Sequence, residues 1–177
     1  MNDDRLGRLW AYEQIRQLVA RYAHAVDTRD LDSLVALFVD DVHAGRGQRG
    51  RGALRAQFDA SLTEVGVTIL SVGTHVIDLI DDDHATGAVY CRGEIQVDDR
   101  WIVQAIRYDD TYERRDGDWL FVRRHHQLFY GAEAGVNPLG LPAANWPENH
   151  EGLGSLPYSD DSWRTFRNRD QDRPSTG

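Results

Sequence analysis

The hydrophobic pattern of this chain changes its period once, near Val67, and this change constrains the fold more than any other feature. Before it, from about Leu9 to Asp27, apolar residues recur at positions 15, 18, 19, 22 and 26, which is the spacing of one helix face. After it, four segments alternate apolar and polar residues as strands do: TILSVGTHVIDLI, ATGAVYCRGEIQV, WIVQAIRYDDTYER and DWLFVRRHHQLFYG. The sequence therefore predicts helices first and a sheet second.

Two shorter helices and three tight connections complete the predicted fold. Asp30 is a typical N-cap for LDSLVALFV, and GALRAQFDASLTEV places Leu54, Phe58 and Leu62 on one face. The strands are joined by DDDHA, VDDR and RDGD, and strands joined so closely run antiparallel. We therefore expect an α+β fold: a cone-shaped α+β barrel in which three N-terminal helices pack on a curved antiparallel sheet and enclose a pocket.

Composition excludes several classes of function. The net charge of −9 argues against nucleic acid as a partner, because phosphate binding requires a basic surface. No apolar stretch is long enough to cross a bilayer, and MNDDRLGRLW lacks the apolar core of a secretory signal. The single cysteine, Cys91, has no partner for an internal disulfide. We expect a cytoplasmic protein with one domain over residues 1–140.

The remainder, residues 141–177, is expected to be an irregular tail. It is rich in proline and glycine, and its end, RNRDQDRPSTG, has the composition of a disordered segment. Trp146 and Trp163 indicate that part of this tail packs on the domain.

Two polar residues interrupt apolar patterns and are the first candidates for chemistry. Asp27 ends the first predicted helix, and His75 lies within the first predicted strand. A carboxylate and an imidazole that meet in an apolar cavity form a general base. The alternative is that they are two unrelated residues, one capping a helix and one at the surface.

Strand alternation shows which residues share a face of the sheet, but it does not decide which face lines the cavity. Gln104, Ile106, Tyr108 and Asp110 share one face of the third strand, and His75 shares its face with Ile77 and Leu79. In the last strand the alternation allows either Arg124 with His126 or Arg123 with His125 to face the pocket. The face that carries Trp119, Phe121 and Phe129 is too apolar to remain exposed, which predicts a homo-oligomer.

The segment ARYAHAVDTRDLDSLVALFVDDV resembles the opening of the SnoaL-like branch of the nuclear transport factor 2-like superfamily. The similarity is greatest to the scytalone dehydratase, bile acid 7α-dehydratase and hexachlorocyclohexane dehydrochlorinase families, which carry an Asp and a His at the positions of Asp27 and His75. The hairpin YERRDGDWLFVRR resembles that of the dehydrochlorinase and places its active-site arginine at Arg124. Where the dehydrochlorinase has an active-site lysine, this chain has Tyr22, as the bile acid dehydratase does.

The resemblance implies a catalytic set and a binding set. Asp27, His75, Tyr22 and Arg124 would be catalytic, with Asp27 holding the His75 imidazole, and no metal or cofactor would be needed. The residues expected to bind substrate are Tyr108, His126, Val89, Cys91, Gln104 and Leu128.

These residues lead us to expect a cofactor-free lyase, a dehydratase that removes water from a mid-sized hydrophobic ring compound of steroid, bile-acid or polyketide type. One alternative is an isomerase or polyketide cyclase that uses the same base. Another is a non-catalytic ligand-binding protein, or the structural small subunit of a ring-hydroxylating dioxygenase. Relatives of this kind form trimers or dimers, and a homotrimer is favoured here.

Overall fold

A computed structural model describes residues 2–45, 47–145, 148, 151–157 and 160–169. Its elements are α1 (Asn2–Thr28), α2 (Leu31–Ala36), α3 (Arg51–Thr63), β1 (Thr68–Leu79), β2 (His84–Val97), β3 (Arg100–Arg115), β4 (Asp118–Glu133), a short 3-10 helix (Pro138–Gly140) and α4 (Asp161–Asn168). The strands form one antiparallel sheet in the order β1-β2-β3-β4. The predicted α+β arrangement is confirmed.

The first two helices differ in length from their predictions. α1 begins seven residues before Leu9, and residues 5–10 of this extension are exposed, so they lack the buried face that periodicity detects. Asp30 caps α2 as predicted, because its side chain accepts a hydrogen bond from the backbone N–H of Ser33 at 3.0 Å. α2 ends at Ala36, before the predicted end, since the backbone groups of Leu37 and Val39 bond instead to the backbone of Phe121 in β4.

The helices cover one face of the sheet, which we call the inner face. The predicted core positions of α1, including Ile15 and Val19, are buried against it. The Asp116-Gly117 connection adopts positive φ angles of 53° and 94°, as a tight hairpin turn requires. Within the described residues, no helix is long and apolar enough to cross a lipid bilayer.

A bulge at Val122 corrects the predicted outer face of β4. The register shifts there, so that Phe121 lies opposite Tyr112 while Arg124 lies opposite Asp110. Phe121 before the bulge and Arg124 after it therefore both face inward. Trp119 and Phe121 are core residues, 4% and 0% exposed. The prediction that these two aromatic side chains lie on an uncovered face was wrong, because strict alternation cannot anticipate an extra residue.

A second bulge, at Phe129, places Leu128 and Tyr130 on opposite faces of the sheet, although strict alternation would place them on the same face. Leu128 lies opposite Ile106 on the inner face, whereas Tyr130 lies opposite Ala105 on the outer face. On the outer face Phe129 packs edge-on against Tyr90, with ring centres 5.8 Å apart. Phe129 and Tyr130 are 48% and 58% exposed, so an apolar outer patch exists, but at the opposite end of β4 from Trp119.

The tail contains a helix that composition did not predict. In α4, Phe166 is buried, and the hydroxyl of Ser162 donates to the backbone oxygen of Thr28 at 2.7 Å. Arg167, which was expected to begin a disordered end, instead donates to the backbone oxygen of Val65 at 2.8 Å. Trp163 also lies in α4, half-buried, whereas Trp146 and residues 170–177 lie outside the described residues. The boundary at residue 140 remains a prediction.

Candidate active site

A buried ion pair lies at the centre of the inner face. Arg124 of β4 and Asp110 of β3 are directly opposite in the sheet. Nε and Nη2 of Arg124 donate to the two carboxylate oxygens of Asp110 at 2.9 and 2.6 Å, and the side chains are 4% and 0% exposed. Burial lowers the pKa of Arg124, but the hydrogen bonds and charge of Asp110 more than offset it and the pKa is raised. The arginine is therefore a permanent cation in an apolar setting.

Aromatic rings surround this cation. The guanidinium carbon of Arg124 lies 4.3 Å from the ring centre of Tyr22 and 4.4 Å from those of Tyr108 and Phe121. Such contacts stabilise a cation that has lost its water. Nη1 is the guanidinium nitrogen that Asp110 does not use, and it has no acceptor among the described residues. It remains available to an oxygen atom of a ligand.

The cation opens onto a cavity of about 540 Å³. Its lining combines polar and apolar side chains from the sheet, the helices and the loop before α3: Tyr22, Tyr108, Arg123, Arg124, His126, His43, Gln57, Phe38, Phe58, Leu54, Val42, Ala44, Gly45 and Val122. This volume suits a ligand of several rings. Sequence reasoning missed His43, because a histidine in a loop carries no pattern that indicates a pocket.

Both tyrosines of the cavity keep free hydroxyl groups. Tyr22 and Tyr108 are 9% and 5% exposed, and neither hydroxyl has a hydrogen-bond partner in the part of the chain that the structure describes. Burial raises the pKa of both phenols, despite the opposing effect of Arg124. Both phenols therefore keep their protons at neutral pH and can donate hydrogen bonds.

His75 joins the ion pair through a tyrosine that was not predicted as a site residue. Nε2 of His75 lies 3.1 Å from the hydroxyl oxygen of Tyr112, and that hydroxyl donates to Asp110 at 2.8 Å. His75 of β1, Tyr112 and Asp110 of β3 and Arg124 of β4 thus form one chain of hydrogen bonds. Burial lowers the pKa of His75 to about 4, with a smaller opposing effect from Asp110. The imidazole is neutral at neutral pH.

Asp27 is not the partner of His75 in this structure, which corrects the predicted pairing. The carboxylate of Asp27 accepts hydrogen bonds from the backbone N–H of Leu70 at 2.9 Å and from the hydroxyl of Thr68 at 3.1 Å. The buried guanidinium of Arg29 also bonds to that hydroxyl, at 2.7 Å. Burial raises the pKa of Asp27 to about 6. Its contacts tie the end of α1 to the start of β1.

A row of directly opposed residues links His75 to the cavity. Across the inner face His75 lies opposite Val89, Val89 opposite Tyr108, and Tyr108 opposite His126. Tyr108 and His126 line the cavity and their rings meet edge-on, with centres 5.5 Å apart. His75 itself does not line the cavity, and Val89 between them is fully buried.

The other predicted binding residues lie in the neighbouring rows. Cys91 faces inward beside Ile106 and is buried, which raises its pKa to about 11. Gln104 is half-buried, and Leu128 is 48% exposed at the end of the inner face. The described residues contain no cluster of three His, Cys, Asp or Glu side chains that is spaced to hold a metal ion.

Comparison with known families identifies the family of this chain. The family model of the SnoaL-like domain matches residues 7–125, which is more than half of the chain. The chain belongs to the SnoaL-like family. The predicted membership of the nuclear transport factor 2-like superfamily is therefore confirmed.

Several solved structures share the fold. The dehydrochlorinase LinA is 26% identical, with a TM-score of 0.67 over 77% of this chain and 97% of that one. Hexachlorocyclohexane dehydrochlorinase LinA-type3 from Novosphingobium barchaimii LL02 is 24% identical, with a TM-score of 0.67 over 75% and 96%. A candidate scytalone dehydratase from Novosphingobium aromaticivorans is 22% identical, with a TM-score of 0.65 over 77% and 94%. A search of curated proteins gave no match.

Proposed function

We propose that this SnoaL-like protein is a cofactor-free lyase that removes water from a hydrophobic ring compound carrying oxygen substituents. The observation that carries this proposal is the cavity, which combines one buried guanidinium and two phenol side chains with the apolar residues Phe38, Phe58 and Leu54. Apolar walls bind the ring skeleton, and the three polar groups converge on one oxygen region of the ligand. The ligand is thus a small hydrophobic molecule with a carbonyl or hydroxyl oxygen near Arg124.

Arg124 is proposed to stabilise the negative charge that develops when a proton leaves the carbon beside a carbonyl. Its Nη1 has no acceptor among the described residues, and Asp110 holds its Nε and Nη2, so the cation is fixed before the substrate arrives. Tyr22 and Tyr108, whose rings both contact its guanidinium, add neutral donors beside it. Because their pKa values are raised, we assign them hydrogen bonding to the substrate oxygen and no proton transfer.

His75 is the proposed general base. Adjacent strands are roughly 4.8 Å apart, and His75 lies two strands away from Tyr108, across Val89. A substrate with several rings that extends from Tyr108 over Val89 would reach His75. Since Val89 is fully buried, the substrate has to move the side chains above it. At neutral pH the imidazole is unprotonated and accepts a proton from carbon.

The same histidine can return that proton. Loss of water breaks one C–H bond and one C–O bond and forms a C=C bond. His75 takes the proton from carbon, and its imidazolium then donates it to the departing hydroxyl, which leaves as water. An imidazolium with a pKa near 4 is a strong donor for this second step. No other acid is needed, and the imidazole is regenerated neutral.

His126 is the competing base, because it lines the cavity directly. Its partial burial lowers its pKa, so it too is neutral at neutral pH. We favour His75 because its imidazole has a fixed hydrogen-bond partner, whereas the side chain of His126 is exposed at the cavity mouth. Replacing each histidine with glutamine separates the two assignments.

We also propose a homo-oligomer, with a trimer favoured over a dimer. The apolar outer patch formed by Tyr90, Phe129 and Tyr130 is the surface that supports it. The mass of the oligomer, and from it the number of subunits, can be measured by light scattering at micromolar concentration.

The functional proposal is tested by screening hydroxylated steroids, bile acids and polyketide-like phenols for loss of water, followed by mass spectrometry. The protein should accelerate dehydration of at least one class, and His75→Gln should abolish it while the far-ultraviolet spectrum stays unchanged. Isomerisation without a change of mass would indicate the isomerase alternative. Tight ligand binding without turnover would contradict the enzyme and support the ligand-binding alternative.

A further inference from the structure

We propose that Tyr112 is a positioning residue for His75: its hydroxyl accepts the Nε2–H of the imidazole, which leaves Nδ1 as the basic nitrogen. The inference deepens the proposed function, since it concerns the same base. It assigns the orienting role to Tyr112 and Asp110, and not to Asp27.

Proton counting decides the direction of the bond between Tyr112 and His75. A phenol has one proton to donate, and the hydroxyl of Tyr112 donates it to a carboxylate oxygen of Asp110 at 2.8 Å. At 3.1 Å from Nε2, the phenolic oxygen can only accept. Nε2 therefore carries the proton of the neutral imidazole. The lone pair that can take a proton from a substrate is on Nδ1.

The direction of this bond is fixed because Asp110 cannot act as a donor. Arg124 holds both of its carboxylate oxygens, at 2.9 and 2.6 Å, in a pair that is almost fully buried. Both oxygens of a carboxylate that pairs with a guanidinium in this way act as hydrogen-bond acceptors. The charge on Arg124 thus sets the orientation of His75 through two intervening hydrogen bonds.

The sheet provides the space for Tyr112 to reach β1. Tyr112 lies opposite Ala85, and its ring crosses Gly87, the next inward residue of β2, toward His75. A Cβ atom at Gly87 would lie 3.0 Å from the Tyr112 hydroxyl and 2.9 Å from the backbone oxygen of Val76. Glycine is therefore required at this position for the tyrosine to pass. Tyr112 is fully buried, so its hydroxyl has no access to water that could replace His75.

Asp27 has no corresponding path to the imidazole. Its carboxylate oxygens are bonded to Leu70 and Thr68, both of which precede the irregularity in β1 between Val72 and His75. The two arrangements therefore predict different results for the same measurements. Pairing with Asp27 would place a carboxylate against the ring, whereas pairing with Tyr112 places a neutral oxygen there.

The test is 15N NMR of the full chain labelled at its histidine rings, with the signals of His75 assigned from their loss in His75→Gln. We expect neutral His75 to be in the Nε2–H form at pH 7, with an Nε2 proton protected from exchange with water. In Tyr112→Phe that protection should be lost. Tyr90→Phe, a matched change at an exposed outer-face position, should preserve it.

Two outcomes would overturn the inference. An Nδ1–H form in the native protein would show that the phenol donates to His75, and an unchanged Nε2 proton in Tyr112→Phe would show a merely structural role. Once a substrate is known, Tyr112→Phe should lower kcat with KM unchanged, by less than the roughly 10²- to 10⁴-fold that a positioned general base itself contributes. If the NMR result holds but His75→Gln remains fully active, the proposed function fails and the positioning inference stands.

Discussion

The hydroxyl oxygen of Tyr112 lies 3.1 Å from Nε2 of His75, and this contact joins the histidine of β1 to the buried ion pair of β3 and β4. The partner of the imidazole is thus a neutral oxygen and not a carboxylate. A carboxylate in contact would raise the pKa of the imidazole, whereas burial beside a phenol leaves it lowered. The two possible partners of His75 therefore predict that activity is lost at different pH values on the acid side.

The first prediction concerns the pH dependence of the reaction. Because the pKa of His75 is lowered to about 4, kcat/KM should be flat from pH 5 to 8 and fall about tenfold per pH unit below about pH 4. Initial rates should be measured with enzyme returned to pH 7 afterward, so that unfolding is detected. An acid limb at pH 6.5 or above would contradict pairing of His75 with a neutral partner.

The second prediction concerns the stability effect of Asp27. Its pKa is about 6 in the folded protein, above its ordinary value of 3.8, so its contribution to stability is complete below about pH 3.8 and is lost as the pH rises through 6. Asp27→Asn should therefore gain stability relative to the native protein between pH 4.5 and 7.5. The gain should be roughly 1–2 kcal/mol after allowance for the partial exposure of the carboxylate.

Urea unfolding at the two pH values measures that gain. Asp30→Asn is a suitable control, because the pKa of Asp30 is lowered by its hydrogen bonds to Ser33 and its pH effect has the opposite sign. Activity of Asp27→Asn should stay within about tenfold of the native enzyme, since no hydrogen bond joins it to His75. A loss of several hundredfold without unfolding would restore Asp27 as the partner of the base.

The third prediction concerns the pair of Arg124 and Asp110. Either Arg124→Met or Asp110→Leu alone should cost about 3–5 kcal/mol, because each leaves one buried charge without its partner. The double variant should cost less than the sum of the two, with a coupling energy of about 2 kcal/mol or more by urea unfolding. Additive effects would contradict the close contact of these side chains.

The fourth prediction separates the two aromatic regions of β4. Phe121→Ala should destabilise the protein by about 3–5 kcal/mol, because it removes a fully buried ring. Phe129→Ala, at a half-exposed ring on the outer face, should change the subunit unfolding energy far less and should lower the mass by light scattering. If Phe129→Ala leaves the mass unchanged, the outer patch is not the oligomer interface.

The sequence predicts the elements of this fold well, because helix and strand periods are local properties. The four strands lie within two residues of their predicted ends, and Asp30 and Asp116-Gly117 mark their cap and turn correctly. The bulge at Val122 was not predictable by alternation, since the extra residue is recognised only against a partner strand. It is the reason that Phe121 and Arg124 share one face.

The sequence predicted several residues of the candidate site but not the hydrogen bonds that connect them. His75, Arg124, Tyr22 and Tyr108 were singled out, and the structure connects Arg124 to both tyrosines and, through Asp110 and Tyr112, to His75. Tyr112 was missed because a tyrosine in a strand is ordinary core composition. The hydrogen bonds of Asp27 depend on how α1 meets β1, which no local pattern reveals.

The fifth prediction tests the central claim, that His75 takes a proton from carbon beside a carbonyl. A ligand bound by the protein should be incubated in D2O and its deuterium content followed by NMR or mass spectrometry. The native protein and His126→Gln should catalyse exchange at that carbon, whereas His75→Gln should fall to the uncatalysed rate. Exchange that persists in His75→Gln and disappears in His126→Gln would contradict the account and assign the base to the cavity mouth.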